Sequence, residues 1–350
     1  MAPRLRLVLL VAGLAVSLGL TYLALRDIDF WGFWRALADG RPGWLVPAFG
    51  IFALAYALRL LRWWILFAPV SRPRARPLAR ALLAGEFFTS LLPVARLGDV
   101  ARIVVLYRAA GTSRAETAGT IAAERTQDAA ALLSLLFVAV AFAPPVTWLR
   151  AAALAPAALV LAVAVVLLVL KLYGSRPIEF LLRPLAAFPG FSRARTDLAA
   201  SRILRGLRGV RRPHVAAAAF ALSVASWLCV AASYTLAMRV VRLDLGLDAG
   251  IIVAVATTFS LLVPGLPASV GLFEAATIVA LKPFDVAAAR ALSAGVVIHV
   301  LTFAPFLVLG PLALRGQVLP RARDILPPEP EAAQEADPPL HSVPRGTRSR

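Results

Sequence analysis

Apolar residues in this chain gather into blocks about as long as a bilayer is thick. Uninterrupted blocks occupy residues 5–25, 44–67, 118–143, 151–172, 214–238 and 290–314. About 20 helical residues cross a hydrocarbon core of about 30 Å. A soluble globule is excluded on the same ground. Residues that are 60% apolar and only 16% charged cannot cover the surface of one. The first block is longer than the core of a signal peptide, and no small-x-small cleavage pattern follows it. A retained helix is expected there.

The net charge of +18 would point to nucleic acid in a soluble protein. Here the basic residues sit in short loops between apolar blocks, and no basic-aromatic module accompanies them, so no nucleic-acid partner is expected. The loops instead set orientation by the excess of Lys and Arg on the cytoplasmic side. Arg4 and Arg6 place the N-terminus inside, and Arg315, Arg321 and Arg323 place the C-terminus inside. Loop 171–213 carries ten basic and two acidic residues, net +8, and also belongs inside. Loops 26–43 and 239–248 net zero and belong outside.

Two further apolar segments, near 80–108 and 249–282, are interrupted by Pro and Gly. Both flanks of the first are basic and want the cytoplasm. Both flanks of the second are nearly neutral and want the outside. The expected fold is therefore an all-α membrane protein with about six full spans and two broken helical hairpins of inverted orientation. Hydropathy leaves open whether each hairpin is re-entrant or a pair of short spans. Residues 1–319 form the membrane domain. Residues 320–350, rich in Pro, Glu and Arg, read as a disordered cytoplasmic tail. Phe30, Trp31, Phe33 and Trp34 have helical spacing and read as an interfacial anchor. The basic stretch 193–212 reads as a helix on the inner membrane face.

The broken segments resemble each other. FFTSLLPVARLGDVARIVVL (87–106) and TFSLLVPGLPASVGLFEAATIVAL (258–281) each run from an aromatic, Ser/Thr and Leu-Leu through a Pro break to Gly and a carboxylate. Pro93, Gly98, Pro264, Pro267 and Gly271 are the expected structural breaks. Non-helical backbone at membrane depth needs protein around it or a wet cavity, and matched breaks in inverted halves point to a midplane site.

Charge inside the blocks is expensive. Glu86 lies in the first half of the first broken segment. Arg96, Asp99 and Arg102 follow its break at helical spacing. Glu124, Arg125 and Asp128 share nearly one face of the third span. Glu274 lies in the second broken segment without a charged neighbour in sequence and must find a partner on another helix. His299, in the last span, is a candidate proton or polar relay. The same groups also fit a bland role as ion pairs that hold helix register.

Enzymatic signals are sparse. Cys229 is the single cysteine, and His214, His299 and His341 have no metal-ligand spacing, so no metal or other cofactor is expected. Nucleotide-binding and hydrolase motifs are absent from the sequence. Asp27 and Asp29 leave one alternative open, because integral-membrane glycosyltransferases that use lipid-linked sugars carry an acidic pair in a first outer loop. A non-transporting scaffold with unknown protein partners is the other.

Residues 91–128 and 263–281 resemble the two characteristic stretches of the lysylphosphatidylglycerol synthase transmembrane-region family, the flippase-like domain proteins. The first stretch is carried by Pro93, Gly98, Asp99, Arg102, Glu124, Arg125 and Asp128. The second is carried by Pro267, Gly271, Phe273 and Glu274, with His299 matching a His of the last helix. The family often has Pro-Gly where this chain has Pro267-Ala268. The resemblance implies a stand-alone flippase-like domain in a bacterial or archaeal cytoplasmic membrane, without the aminoacyl-transferase domain of the synthases. It implies an anionic or lipid-linked membrane lipid as partner. Arg96, Asp99, Arg102, Glu124, Arg125, Asp128 and Glu274 are the expected substrate-binding residues.

Overall fold

The structure, a computed structural model, describes residues 29–67, 73–91, 97–142, 212–261 and 269–315, with Gly19, Tyr22 and Arg26. The blocks 5–25 and 151–172, the basic stretch 193–212, Asp27, Pro93, Arg96, Pro264, Pro267 and the tail 320–350 lie outside the described residues, apart from Arg212 and the three named residues in the first block and the loop after it.

Among the described residues every regular element is helical. They are α1 (Phe30–Ala38), α2 (Leu45–Phe67), α3 (Ala75–Leu91), α4 (Leu97–Ala110), α5 (Arg114–Phe142), α6 (Pro213–Val240), α7 (Leu247–Ser260), α8 (Leu272–Leu281) and α9 (Ala288–Leu314). Three of the described helices are long and apolar enough to cross a membrane: Pro42–Phe67, including the 3-10 turn before α2, then α6 and α9. The helix α5 has the length of a span at 29 residues, but its middle carries Glu124, Arg125 and Asp128. Those charges need partners before that helix can lie in hydrocarbon.

α1 starts at Asp29, whose carboxylate accepts from the Trp31 N–H at 3.0 Å. This is an ordinary N-cap. Phe30, Trp31 and Trp34 remain exposed, while the Phe33 carbonyl accepts from Ser293 Oγ on α9. α2 and α6 run antiparallel. The Arg41 N–H donates to the Val240 carbonyl at one end, and Arg62 Nη1 donates to Ser223 Oγ at 2.7 Å toward the other. α9 joins α6 through Tyr234 and Thr302, whose hydroxyls lie 3.1 Å apart. The main core packs α2, α5, α6, α7 and α9 around Phe52, Trp227, Ile252, Ile298 and Phe306.

Each broken segment forms two helices packed on each other, α3 with α4 and α7 with α8. In the first hairpin the backbones cross at Gly85 and Gly98. A Cβ on Gly98 would overlap the Gly85 carbonyl, and one on Gly85 would overlap the Arg102 side chain. Small residues at such a crossing let helices approach closely. Gly98 therefore belongs to α4 and to the crossing, not to the break itself. Gly271 does stand at the break. It precedes α8 with φ +86°, in the region that disfavours side chains.

Candidate functional site

The charge site starts on α2. Arg59 and Arg62 stand three residues apart inside an otherwise apolar helix. Arg62 is fully buried, at 0% exposure, and its guanidinium is held by two carboxylates of α5, Glu124 and Asp128. It forms a two-pronged pair with Asp128, one arm being Nη2 to Oδ2 at 3.1 Å, and reaches Glu124 Oε1 at 2.9 Å. Trp227 Nε1 donates to the same Asp128 from α6 at 3.1 Å. Asp128 thus receives donors from both α2 and α6.

Glu124 is ten residues into α5, about 15 Å along its axis. Its other side is taken by Arg102 of α4, with Nη2 to Oε2 at 2.6 Å and Nη1 to Oε1 at 3.3 Å. Arg102 is only 2% exposed, and its guanidinium also lies 3.9 Å from the centre of the Trp63 ring. A planar cation on an aromatic face keeps its in-plane donors free for carboxylates. Trp63 is itself fixed by its Nε1–H, which donates to Thr120 Oγ1 at 3.1 Å.

The chain of charges continues outward. Arg102 Nη1 lies 3.9 Å from Asp99 Oδ1, and Arg125 Nη2 lies 2.7 Å from the same oxygen. Arg125 is the accessible end, with 55% of its side chain exposed. The order Asp128, Arg62, Glu124, Arg102, Asp99, Arg125 alternates in sign and closes at zero net charge. It ties α2, α4 and α5 together. Alternation of this kind offsets the desolvation that each charge would suffer alone.

A second site joins α8 and α9. Glu274 Oε1 and His299 Nδ1 share a hydrogen bond of 2.6 Å. The other oxygen, Oε2, accepts from the Gly271 N–H at 2.7 Å. The His299 ring lies between Phe273 and Phe303, at 4.8 and 4.6 Å between centroids. The partner on another helix that Glu274 requires is His299, 25 residues away. Glu274 also has a local partner that spacing alone did not suggest, because the left-handed turn at Gly271 aims that N–H back at the first turn of α8.

The structure thus brings Asp99, Arg102, Glu124, Arg125 and Asp128 into one network, and Glu274 and His299 into another. Sequence reasoning missed Arg59 and Arg62. Their signal was present: two arginines one turn apart within an apolar span, each costing at least about 2.5 kcal/mol if unpartnered. It also set Arg125 beside Asp128 on their spacing. In the structure Arg125 pairs with Asp99 and Asp128 with Arg62, since Arg125 points to the exposed side of α5 and Asp128 into the bundle. Asp29 is occupied in capping α1. Among the described residues no group of three or more His, Cys, Asp or Glu is placed to hold a metal ion.

Fold and site define a multi-pass, all-helical membrane protein that keeps paired charges within its helix bundle. The family model for the lysylphosphatidylglycerol synthase TM region matches residues 10–310, and the chain belongs to that family. The membership ties it to a membrane lipid-related role. No curated protein matches the chain.

Proposed function

We propose that this protein moves a polar lipid or lipid-linked intermediate between the leaflets of a bacterial or archaeal cytoplasmic membrane. The observation that carries this reading is the alternating chain of six charges centred on buried Glu124 and ending in one accessible arginine. Ionisable groups inside the helix bundle of a membrane protein mark substrate or ion pathways. In this reading the α3–α4 hairpin enters from the cytoplasm and the α7–α8 hairpin from outside, with N- and C-termini inside. Arg125 and Asp99 meet the headgroup first. Arg102, Glu124 and Asp128, with Arg62, hold the helices that present them. This narrows the set of seven expected substrate contacts. Arg96 stays with that set as a residue of the break. Glu274 and His299 carry a coupling proton or a polar contact on the second hairpin. The acyl chains stay in lipid. No aminoacyl transfer is assigned to the chain.

Mass spectrometry of lipids that co-purify with the wild type and with Glu274→Gln tests the reading. One polar or isoprenoid lipid class enriched in the wild type and lost in the variant is the expected result. Bulk membrane lipid alone in both contradicts it and favours a scaffold.

A further inference from the structure

Two opposite charges of the bundle, Arg59 on α2 and Glu86 on α3, stand outside the six-membered chain of ion pairs. Arg59 is packed on two aromatic faces, with its guanidinium carbon 4.9 Å from the Tyr56 ring centre and 4.7 Å from that of Trp227. Its Nε is buried without a hydrogen-bond partner among the described residues. No carboxylate among the described residues lies within ion-pair distance of it. Glu86, on α3, is likewise half-buried and forms no ion pair among the described residues.

Packing brings the two to one junction. Tyr56, a turn from Arg59, stacks against Phe306 of α9 at 4.7 Å. Gly310, a turn further along α9, lies directly against Phe87, the neighbour of Glu86. Arg59 and Glu86 therefore border the same meeting point of α2, α3 and α9. A separated cation and anion in an apolar bundle is a costly arrangement. A group carrying an anion at one end and a hydrogen-bond donor at the other would satisfy both charges. The stacked guanidinium keeps a planar donor edge that suits a phosphodiester. A carboxylate accepts from an ammonium or hydroxyl.

We propose that Arg59 and Glu86 form a headgroup subsite, in which Arg59 takes the phosphodiester and Glu86 the amine or hydroxyl that ends the headgroup. This deepens the lipid-transfer reading and rests on it. The selected substrates are phospholipids with a donor-terminated headgroup.

Calorimetric titration of the full-length protein in detergent tests this. The probes are short-chain phosphatidylethanolamine, phosphatidylglycerol and phosphatidylmethanol, the last having no donor, and inorganic phosphate. The wild type should bind the first two about tenfold tighter than phosphatidylmethanol, as one charge-assisted hydrogen bond allows. Arg59→Gln should weaken all three lipids about tenfold, and Arg59→Lys should restore part of the loss. Glu86→Gln should bring the three lipids close to one affinity. If Arg59→Gln does not fold, loss of preference in Glu86→Gln still supports the subsite, and retention of the preference overturns it. Inorganic phosphate binding as tightly as the lipids, whatever the residue at 86, also overturns it, because a plain anion site needs no Glu86. The two readings fail separately. A wild type with the expected preference that moves no lipid across a bilayer contradicts lipid transfer and supports the subsite. A wild type that moves lipid, while Arg59→Gln keeps its affinity and Glu86→Gln keeps its headgroup preference, overturns the subsite alone.

Discussion

Arg62 and Arg125 show how burial divides one network into two kinds of residue. Arg62 has no exposed surface and serves two carboxylates, whereas more than half of the Arg125 side chain is accessible. Removing one partner of a buried pair strands the other, at about 3–5 kcal/mol. An exposed pair contributes about 1 kcal/mol or less. Arg62→Met should therefore lower the unfolding temperature in detergent sharply, and Arg125→Gln should leave it almost unchanged. Equal losses would contradict the division. Arg102→Ala belongs with Arg62 here, since it takes from Glu124 its two-pronged partner and leaves it Arg62 alone, so its loss of transport would report folding as much as binding. At Glu274 the isosteric Gln retains an oxygen for the Gly271 N–H but loses the charge opposite His299. Glu274→Gln should fold with a near-native melting curve and a clear loss of transport. A native transport rate would remove it from the site. Much at this scale could not be read from spacing. Asp128 finds Arg62 66 residues away, and Glu274 finds His299 25 residues away, so neither pairing leaves a trace in local periodicity. The carboxylates were visible because charge in an apolar block is itself a signal. The α2 arginines were overlooked because their block is apolar enough to pass as a plain span.

Helices were easier to place than their contacts, because Pro and Gly punctuate apolar runs. The broken segments near 80–108 and 249–282 do divide into helix pairs, α3 with α4 and α7 with α8. What periodicity could not show is why the first pair needs glycine at two particular positions. Gly85 and Gly98 lie where the backbones of α3 and α4 touch, while Gly50 of α2 faces open space. Overpacking a close contact costs about 1–3 kcal/mol, and replacing an unhindered mid-helix glycine by alanine gains about 0.5–1 kcal/mol. Thermal unfolding should accordingly show Gly98→Ala destabilised and Gly50→Ala unchanged or slightly stabilised. A tolerated Gly98→Ala would mean that the hairpin is looser than its geometry.

For the whole molecule, composition and block length already pointed to a helical membrane protein, and the family match over residues 10–310 agrees. Orientation rests on loop charge, and it can be measured because Cys229 is the single cysteine. In a Cys229→Ser background, Ser113→Cys should be labelled by an impermeant thiol reagent only from the cytoplasmic face, and Asp244→Cys only from the outside. Labelling of both from one face would refute the inverted arrangement of the hairpins. The function itself is tested most directly in sealed vesicles containing the purified protein and a trace of phospholipid with a fluorescent acyl chain. An impermeant reductant then bleaches the outer leaflet. With the wild type, bleaching should proceed to near completion, as inner-leaflet lipid becomes accessible. With Glu274→Gln it should stop near the half that empty vesicles show. Wild-type vesicles that stop at that same half, over every headgroup tried, would contradict lipid transfer.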